Sequence, residues 1–585
     1  MPLIAGTWQL PPLPLAGRTV RADTMTNDLP PTNHLLSLST DDFIAGFDAV
    51  ASKFDSATFP QQKLPPDSWA LLVRAGVRLP TLPRRYGGRD SGVEMCRIVE
   101  TASEWNLALG VYVIVNTALS LLPVVKWAGE EVKQEMLPLF AGDAPVMAGL
   151  AATEPGAGSA LSAMTTTFEE VEGGYRIRGR KHWQALSSSA HWWLVLAKNA
   201  HRREYGYFVV ERSEGFRTVE LYEAVGLKLL DYGVNDIDVI VPRHRRIDAE
   251  EAGLDSVDVF LASRALLAAA GSGFLRRISR EAHTYVDGRQ IGRKPQSKIG
   301  FVNYRLAAID TSATICEALS HYLQTMLDVK GDMTPAFPAV QALKTVATER
   351  MISAAQHYQQ LTGAEGYRCG SPTNIAGQAF LDTRVFSIFD GNNDMLSQQL
   401  TAYCLTRRSG RALSELLAEW PLTAPAVAAL ETDLSFLDQR LGQAQQVLAG
   451  RAIAYLFAIT QVLKWADETG ADPARVRPAI EFLRSDIAGV AAEFRLLATG
   501  ILDTYGAAGG HRASRPGAAD EPGSRDPATA AAAAHPHLPV PPSAPPGASL
   551  GEPEPLTGPF AGEARSAVPG SGPVRFPWPP TGPVG

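Results

Sequence analysis

The sequence predicts an α+β multidomain protein. Its parts are an N-terminal α-helical domain, a central β-barrel-like domain, a C-terminal four-helix bundle, an extra helical block and a disordered tail. Three features predict this. Apolar residues recur at helical spacing from Ser39 to about Met147. Near Ala148 the period becomes the two-residue alternation of strands and stays so to about Ile247; helical spacing then returns at Asp255. With 585 residues, 45% hydrophobic and 20% charged, the chain has ample apolar material for several cores.

Residues 1–38 are rich in Pro and Thr and read as a disordered extension. In the N-terminal domain, 39–147, Ser39-Thr-Asp-Asp-Phe offers a cap and an acidic first turn. Pro80, Pro83, Gly87 and Gly88 break the helical pattern into a loop. Leu107–Val125 carries no charge and is nearly long enough to span a bilayer. It contains Asn116, Thr117, Ser120 and Pro123 and has no flanking basic cluster, so a buried helix is expected and no membrane span. In the middle domain, 148–250, the segments GGYRIRG, WWLVLAK and YGYFVVE read as strands. In NDIDVIV, Ile237, Val239 and Val241 point to one face and Asp236 and Asp238 to the other.

The bundle, 251–408, has long helical segments at Val257–Val286, Gln296–Asp328 and Ala339–Leu361, and a fourth after the turn Phe389-Asp-Gly-Asn-Asn-Asp. Residues 409–505 form a further helical block. The tail, 506–585, holds 18 of the 42 prolines and an alanine run; it cannot bury enough apolar surface to offset its ordering entropy.

The formal net charge is −7 and no basic block stands out, which argues against a nucleic-acid partner. Cys96, Cys316, Cys369 and Cys404 are far apart and form no CxxC pair, a pattern that fits a reducing, cytoplasmic location rather than a disulfide framework. No GxSxG, HExxH or P-loop string is present, and the spacing of His182 and His191 makes no metal site.

Several strings, in order, resemble one family. Leu82-Pro-Arg-Arg-Tyr-Gly-Gly resembles the "LPEEYGG" loop of acyl-CoA dehydrogenases, and Thr153-Glu-Pro-Gly-Ala-Gly-Ser159 their "TEPGAGSD". Gly179-Arg-Lys181-His-Trp183 is similar to "NGxKxW", and Gly226-Leu-Lys with Val241-Pro242 to the close of that domain. Ser263-Arg264 and Arg289-Gln-Ile-Gly292 resemble "ER…RxxFG". Gln360-Leu-Thr-Gly363 with Gly366-Tyr367 resembles "QxxGGxGY", Asp382-Thr-Arg384 "RDAR", and Ile388-Phe-Asp390-Gly391-Asn-Asn-Asp394 "IYEGTSE". The resemblance covers roughly residues 40–408.

It implies an FAD-dependent oxidoreductase of fatty acid metabolism that removes the α proton and β hydride of an acyl thioester. Such chemistry needs a base, donors for the developing enolate and an aligned hydride acceptor. The base position is Asp390, where the family has Glu; with Gly391 and Ser159 it would contact substrate, and so would Arg264. Asp reaches roughly 1–1.5 Å less far than Glu, and a misplacement of about 1 Å can lower a rate on the order of 100-fold. FAD would be held by Thr153, Gly158, Ser159 and Trp183, and across a subunit interface by Arg289 with Gln360 and Gly363, implying a homodimer or homotetramer. Asn392 and Asp394 would lie at its adenosine side. The family's Thr or Ser two places after the Trp is Ala185 here. Electron-transfer flavoprotein or another acceptor would take up the electrons. The Asp and the Ala also suit a flavin oxidase or N-hydroxylase on the same fold, and the extra block and tail suit a non-catalytic scaffold.

Overall fold

The computed structural model describes residues 32–59, 63–158, 163–202, 204–248, 258–368, 370–430 and 432–501. The tail reading over 506–585 and the role expected of Ser159 lie outside these residues. The extension read as disordered over 1–38 is ordered by residue 32. There α1 (Thr32–Leu35) ends on a buried Leu35, and the Arg89 guanidinium donates to the Leu35 and Leu38 carbonyls.

Ser39 caps α2 (Thr40–Ala51), accepting from the Asp42 N–H at 3.1 Å, and the helix buries Phe43, Ile44, Phe47 and Val50 as one stripe. The N-terminal domain continues with α3 (Pro66–Arg74), α4 (Gly92–Trp105), α5 (Leu107–Asn116), α6 (Leu122–Trp127) and α7 (Glu130–Ala141). Asn106 separates α4 from α5 by capping the latter, accepting from Ala108 N at 3.1 Å. A π-helical turn, Thr117–Leu121, joins α5 to α6 just before Pro123, whose missing N–H interrupts the ladder. Among the described residues, three helical stretches are long and apolar enough to cross a membrane: Leu107–Trp127, Asp258–Asp287 and Gln443–Thr469. Their most apolar windows are 94%, 89% and 78% buried inside the protein, so this apolarity serves internal packing.

The central domain is one eight-stranded sheet. Its strands are β1 (Ala148–Ala151), β2 (Thr167–Val171), β3 (Gly174–Gln184), β4 (Trp192–Asn199), β5 (Tyr205–Glu211), β6 (Phe216–Leu221), β7 (Gly233–Pro242) and β8 (Arg246–Asp248). The order is β6-β7-β3-β2-β4-β5-β8, with β1 parallel to β4, so β6 and β8 are the edges of the barrel-like layer. In β7, Ile237, Val239 and Val241 are buried, while Asp236 and Asp238 pair with Arg180 and Arg176 of β3 on the other face.

The bundle comprises α8 (Leu261–Asp287), α9 (Gly300–Met326), α10 (Phe337–Thr362) and α12 (Asn393–Arg407), with the short α11 (Ala376–Thr383) before the last. A small hairpin of β9 (Gln290–Ile291) and β10 (Lys294–Pro295) follows α8. Gly273 lets α8 cross α4 closely: a Cβ there would lie 1.9 Å from the Glu100 carbonyl oxygen. Beyond residue 409 come α13 (Leu413–Glu419), α14 (Ala424–Ala429), α15 (Gln443–Thr469) and α16 (Pro473–Leu497). Helix α15 packs against α9, α10 and α12 and is covered by α16. Two strings of the family pattern meet at the seam between sheet and bundle, where Asp382 Oδ1 accepts the Leu227 N–H at 2.6 Å.

Candidate active site

Asp390 lies in the turn between α11 and α12 with φ of +55°, in the left-handed region that non-glycine residues seldom adopt and that aspartate tolerates better than most. Gly391 follows at +90°. The cap of α12 is Asn392, which accepts from Met395 N at 2.8 Å, so Asp390 is not used as a helix cap. Its Oδ2 accepts from the Ser263 hydroxyl at 2.7 Å, while Oδ1 is buried without a partner. The Arg264 guanidinium donates through Nε to the Asp390 carbonyl at 2.8 Å, and its Nη1 is also buried without a partner. Burial pushes the Asp390 carboxyl up, against the pull of Arg264, the Ser263 bond and Lys344. An acid–base group and an orphaned cation atom thus stand beside each other, out of water. Arg264 is only 4% exposed, so it is no helix-surface side chain.

A second cluster lies at the end of β3. The pairing of β3 with β7 slips at a bulge between His182 and Gln184, which leaves Trp183 as the extra residue at φ +57°. The bulge turns the indole out of the sheet. It is 52% exposed, with Tyr222 at 4.5 Å and Tyr232 at 5.9 Å between ring centres, and so is no core aromatic. Beside it runs the turn from Thr153 to Gly158. The Thr153 carbonyl accepts from His182 N at 3.0 Å and Gln184 Nε2 at 3.1 Å. Gly156 and Gly158 have φ of +81° and +53°, and a Cβ on either would meet nothing within 4 Å among the described residues. The turn is anchored by Glu154, whose carboxylate accepts from Thr165 N, Thr166 N and Lys181 Nζ, the last at 2.8 Å with both side chains buried. Burial would raise the Glu154 pKa, but Lys181 and these bonds outweigh it and hold it at about 2.

Arg289, Gln360 and Gly363 come together at one end of the bundle. Arg289 Nη1 donates to Tyr285 OH at 3.0 Å and to the Thr362 carbonyl at 3.4 Å, beside Gly363 at φ +63°. Gln360 is exposed and accepts from Arg305. Asp394 is held within the chain by Arg451 of α15 at 2.7 Å. His191 accepts from Met147 N at 3.2 Å, a structural contact.

Sequence reasoning gave Glu154 and Lys181 no role beyond their place in a string, and missed Ser263 as a partner of Asp390. It also missed Lys344, whose only signal is a lysine inside an apolar helical stretch, Val340 to Ala347.

Residues 45–143, 149–236 and 254–404 match the models of the acyl-CoA dehydrogenase N-terminal, middle and C-terminal domains. An acyl-CoA dehydrogenase of Bacillus subtilis is 25% identical over 337 residues, 55% of this chain and 86% of that protein. The structure of an acyl-CoA dehydrogenase complexed with FAD from Bacillus anthracis superposes with a TM-score of 0.64 at 19% identity, covering 81% of this chain and 89% of that one. A prolyl acyl carrier protein oxidase gives a TM-score of 0.56 at 17% identity, over 62% of this chain and 98% of that one.

Proposed function

Because this chain belongs to the acyl-CoA dehydrogenase family, we propose that it is an FAD-dependent oxidoreductase that desaturates an acyl thioester, with Asp390 as the α-proton base. The observation that carries this reading is the raised Asp390 carboxyl, whose Oδ1 is buried and unpartnered while Ser263 holds Oδ2.

The residues present fit FAD. Gly156 and Gly158 have no side chain and, among the described residues, nothing near their Cβ positions, which suits close approach of a pyrophosphate to the backbone. Trp183 offers an exposed aromatic face for the flavin ring, and Arg289 a guanidinium fork. Bound FAD supplies the hydride acceptor. The protein's own part is proton removal and enolate stabilisation. Ser263 holds Oδ2, so Oδ1 faces the α carbon and takes its proton. The Asp390 N–H, which donates to no acceptor among the described residues, serves the thioester oxygen as charge develops. Desolvation raises the carboxyl above its ordinary range, which makes it a stronger base than a free aspartate.

Ala185 has no hydroxyl to offer beside Trp183, and this supports a second reading, a flavin oxidase. Exposed Tyr367 (87%) and Phe301 (62%), with Ile291 and Tyr304, support a second copy at the Arg289 end of the bundle.

The test is anaerobic flavin reduction by butyryl-, hexanoyl- and isovaleryl-CoA, followed by exposure to air. We expect bleaching by at least one thioester, and at least ~100-fold slower bleaching in Asp390→Asn with FAD retained. Wild-type bleaching in that variant would remove the base. Rapid reoxidation with peroxide release would select the oxidase reading.

A further inference from the structure

We propose that Lys344 is a positioning residue for proton abstraction: from inside the bundle it holds the Gly391 carbonyl and the Asn393 side chain, fixing the Gly391–Asn392 peptide that follows the base and placing a positive charge behind it. The proposal rests on Asp390 being that base.

Lys344 lies on α10 among Val340, Leu343 and Ala347 and is itself fully buried. An ammonium in such surroundings persists only where its donors are satisfied. Lys344 Nζ donates to the Gly391 carbonyl at 2.7 Å and to Asn393 Oδ1 at 2.7 Å. Neither acceptor is a carboxylate, so the charge is held by dipoles and stays available to act on Asp390. Asn393 is fixed in turn, its Nδ2 donating to Thr348 Oγ1 at 3.1 Å and its backbone N–H to the Ser387 carbonyl at 3.1 Å. One buried cation therefore ties α10, the segment before Asp390 and the first turn of α12 into a unit.

Arg264 does the same from α8 one residue earlier, through the Asp390 carbonyl. Two successive carbonyls are thus drawn to two cations on the bundle side. The N–H groups of Asp390 and Gly391 have no acceptor among the described residues and remain available to a thioester oxygen.

The charged groups facing this pair are Arg264 from α8 and Glu349 from α10, the latter bound by the Tyr455 hydroxyl of α15 at 2.7 Å. Asp394 of α12 is taken by Arg451. Burial draws Lys344 down to about 7, against the pull of Asp390. Loss of the Lys344 charge leaves the burial of Asp390 less opposed, so the neutral acid is favoured and the base titrates at higher pH.

The experiment follows the pH dependence of anaerobic flavin reduction in the holoenzyme, with whichever of the three acyl-CoA probes bleaches it fastest, together with hydrogen exchange of amides 389–393. Lys344→Met should move the base limb up by roughly one unit, slow reduction about tenfold below that limb, and raise exchange at 389–393. Lys344→Gln keeps the donor without the charge; it should show the same limb shift with smaller loss of protection. It also serves if Lys344→Met does not yield soluble flavoprotein. Lys344→Arg should restore the limb. Limbs within about 0.2 unit of wild type in both neutral variants, with unchanged exchange, would overturn the proposal. Asp390→Asn separates it from the reading beneath: a wild-type limb in that variant would reject the base itself, whatever Lys344 does.

Discussion

At the scale of single residues, the short side chain of Asp390 is matched by its surroundings. Ser263 reaches its Oδ2 at 2.7 Å, and Arg264 and Lys344 pin the two carbonyls of the turn. An added methylene would drive the carboxylate into Ser263 or out of line with the α carbon. We therefore expect Asp390→Glu to lower the rate of flavin reduction by about tenfold or more rather than raise it, measured by stopped flow. The Lys181–Glu154 pair gives a second expectation. Lys181 is drawn down by burial to about 8 and Glu154 held at about 2, so both are charged at neutral pH. Lys181→Met strands the carboxylate, and should destabilise the protein by about 3–5 kcal/mol in urea titration. Because the folded Glu154 pKa lies below its ordinary 4.5, its stabilisation is complete above that pH and is lost as pH falls towards 2. The acid limb of stability below about pH 4.5 should therefore flatten in Glu154→Gln.

At the scale of elements, glycines decide how closely helices approach. A Cβ on Gly450 of α15 would lie 1.9 Å from the Ser397 carbonyl oxygen of α12, backbone that cannot swing away. Gly450→Ala should cost about 1–3 kcal/mol by pushing α15 off the helix that begins at the Asp390 turn. Gly489, on the exposed face of α16, would meet nothing within 4 Å. There the same substitution should stabilise by about 0.5–1 kcal/mol, because only the helix propensity changes. Thermal unfolding of the two variants should move in opposite directions. The strand containing Trp183 was legible from its alternation, but the bulge was not: nothing local in His182-Trp-Gln184 marks an extra residue, and the slip exists only relative to β7.

At the scale of the whole molecule, the block beyond residue 409 belongs to the same core as the bundle. Helix α15 buries Ile453, Leu456, Phe457, Ile459 and Val462 against α9, α10 and α12. Ending the chain at Arg408 would expose both sides of that contact. At about 1.5–3 kcal/mol per large apolar side chain, the product should aggregate rather than fold. A soluble, yellow 1–408 fragment would show the block to be an appendage. At the opposite end of the bundle, Arg289→Ala should release flavin on dilution without lowering the unfolding temperature of the apoprotein, because among the described residues the Arg289 side chain contacts just Tyr285, its ring and hydroxyl, and the Thr362 carbonyl. Flavin occupancy by absorbance checks this.

The sequence by itself determined the order of helical and strand regions, because periodicity is local and the apolar content of each segment leaves few ways to bury it. It also located the residues that resemble a flavoenzyme site, since those strings are contiguous. Tertiary structure alone decided what lies behind them. Lys344 is 46 residues from Asp390, and Ser263 127 residues away; no spacing rule connects such positions, and only the packing of α8, α10 and the turn before α12 brings them to one place. The same holds for Arg451 and Asp394, whose pairing depends on a helix outside the region of resemblance. Local pattern reports which face of an element is apolar, whereas the partners of a buried charge are set by the helices that close over it.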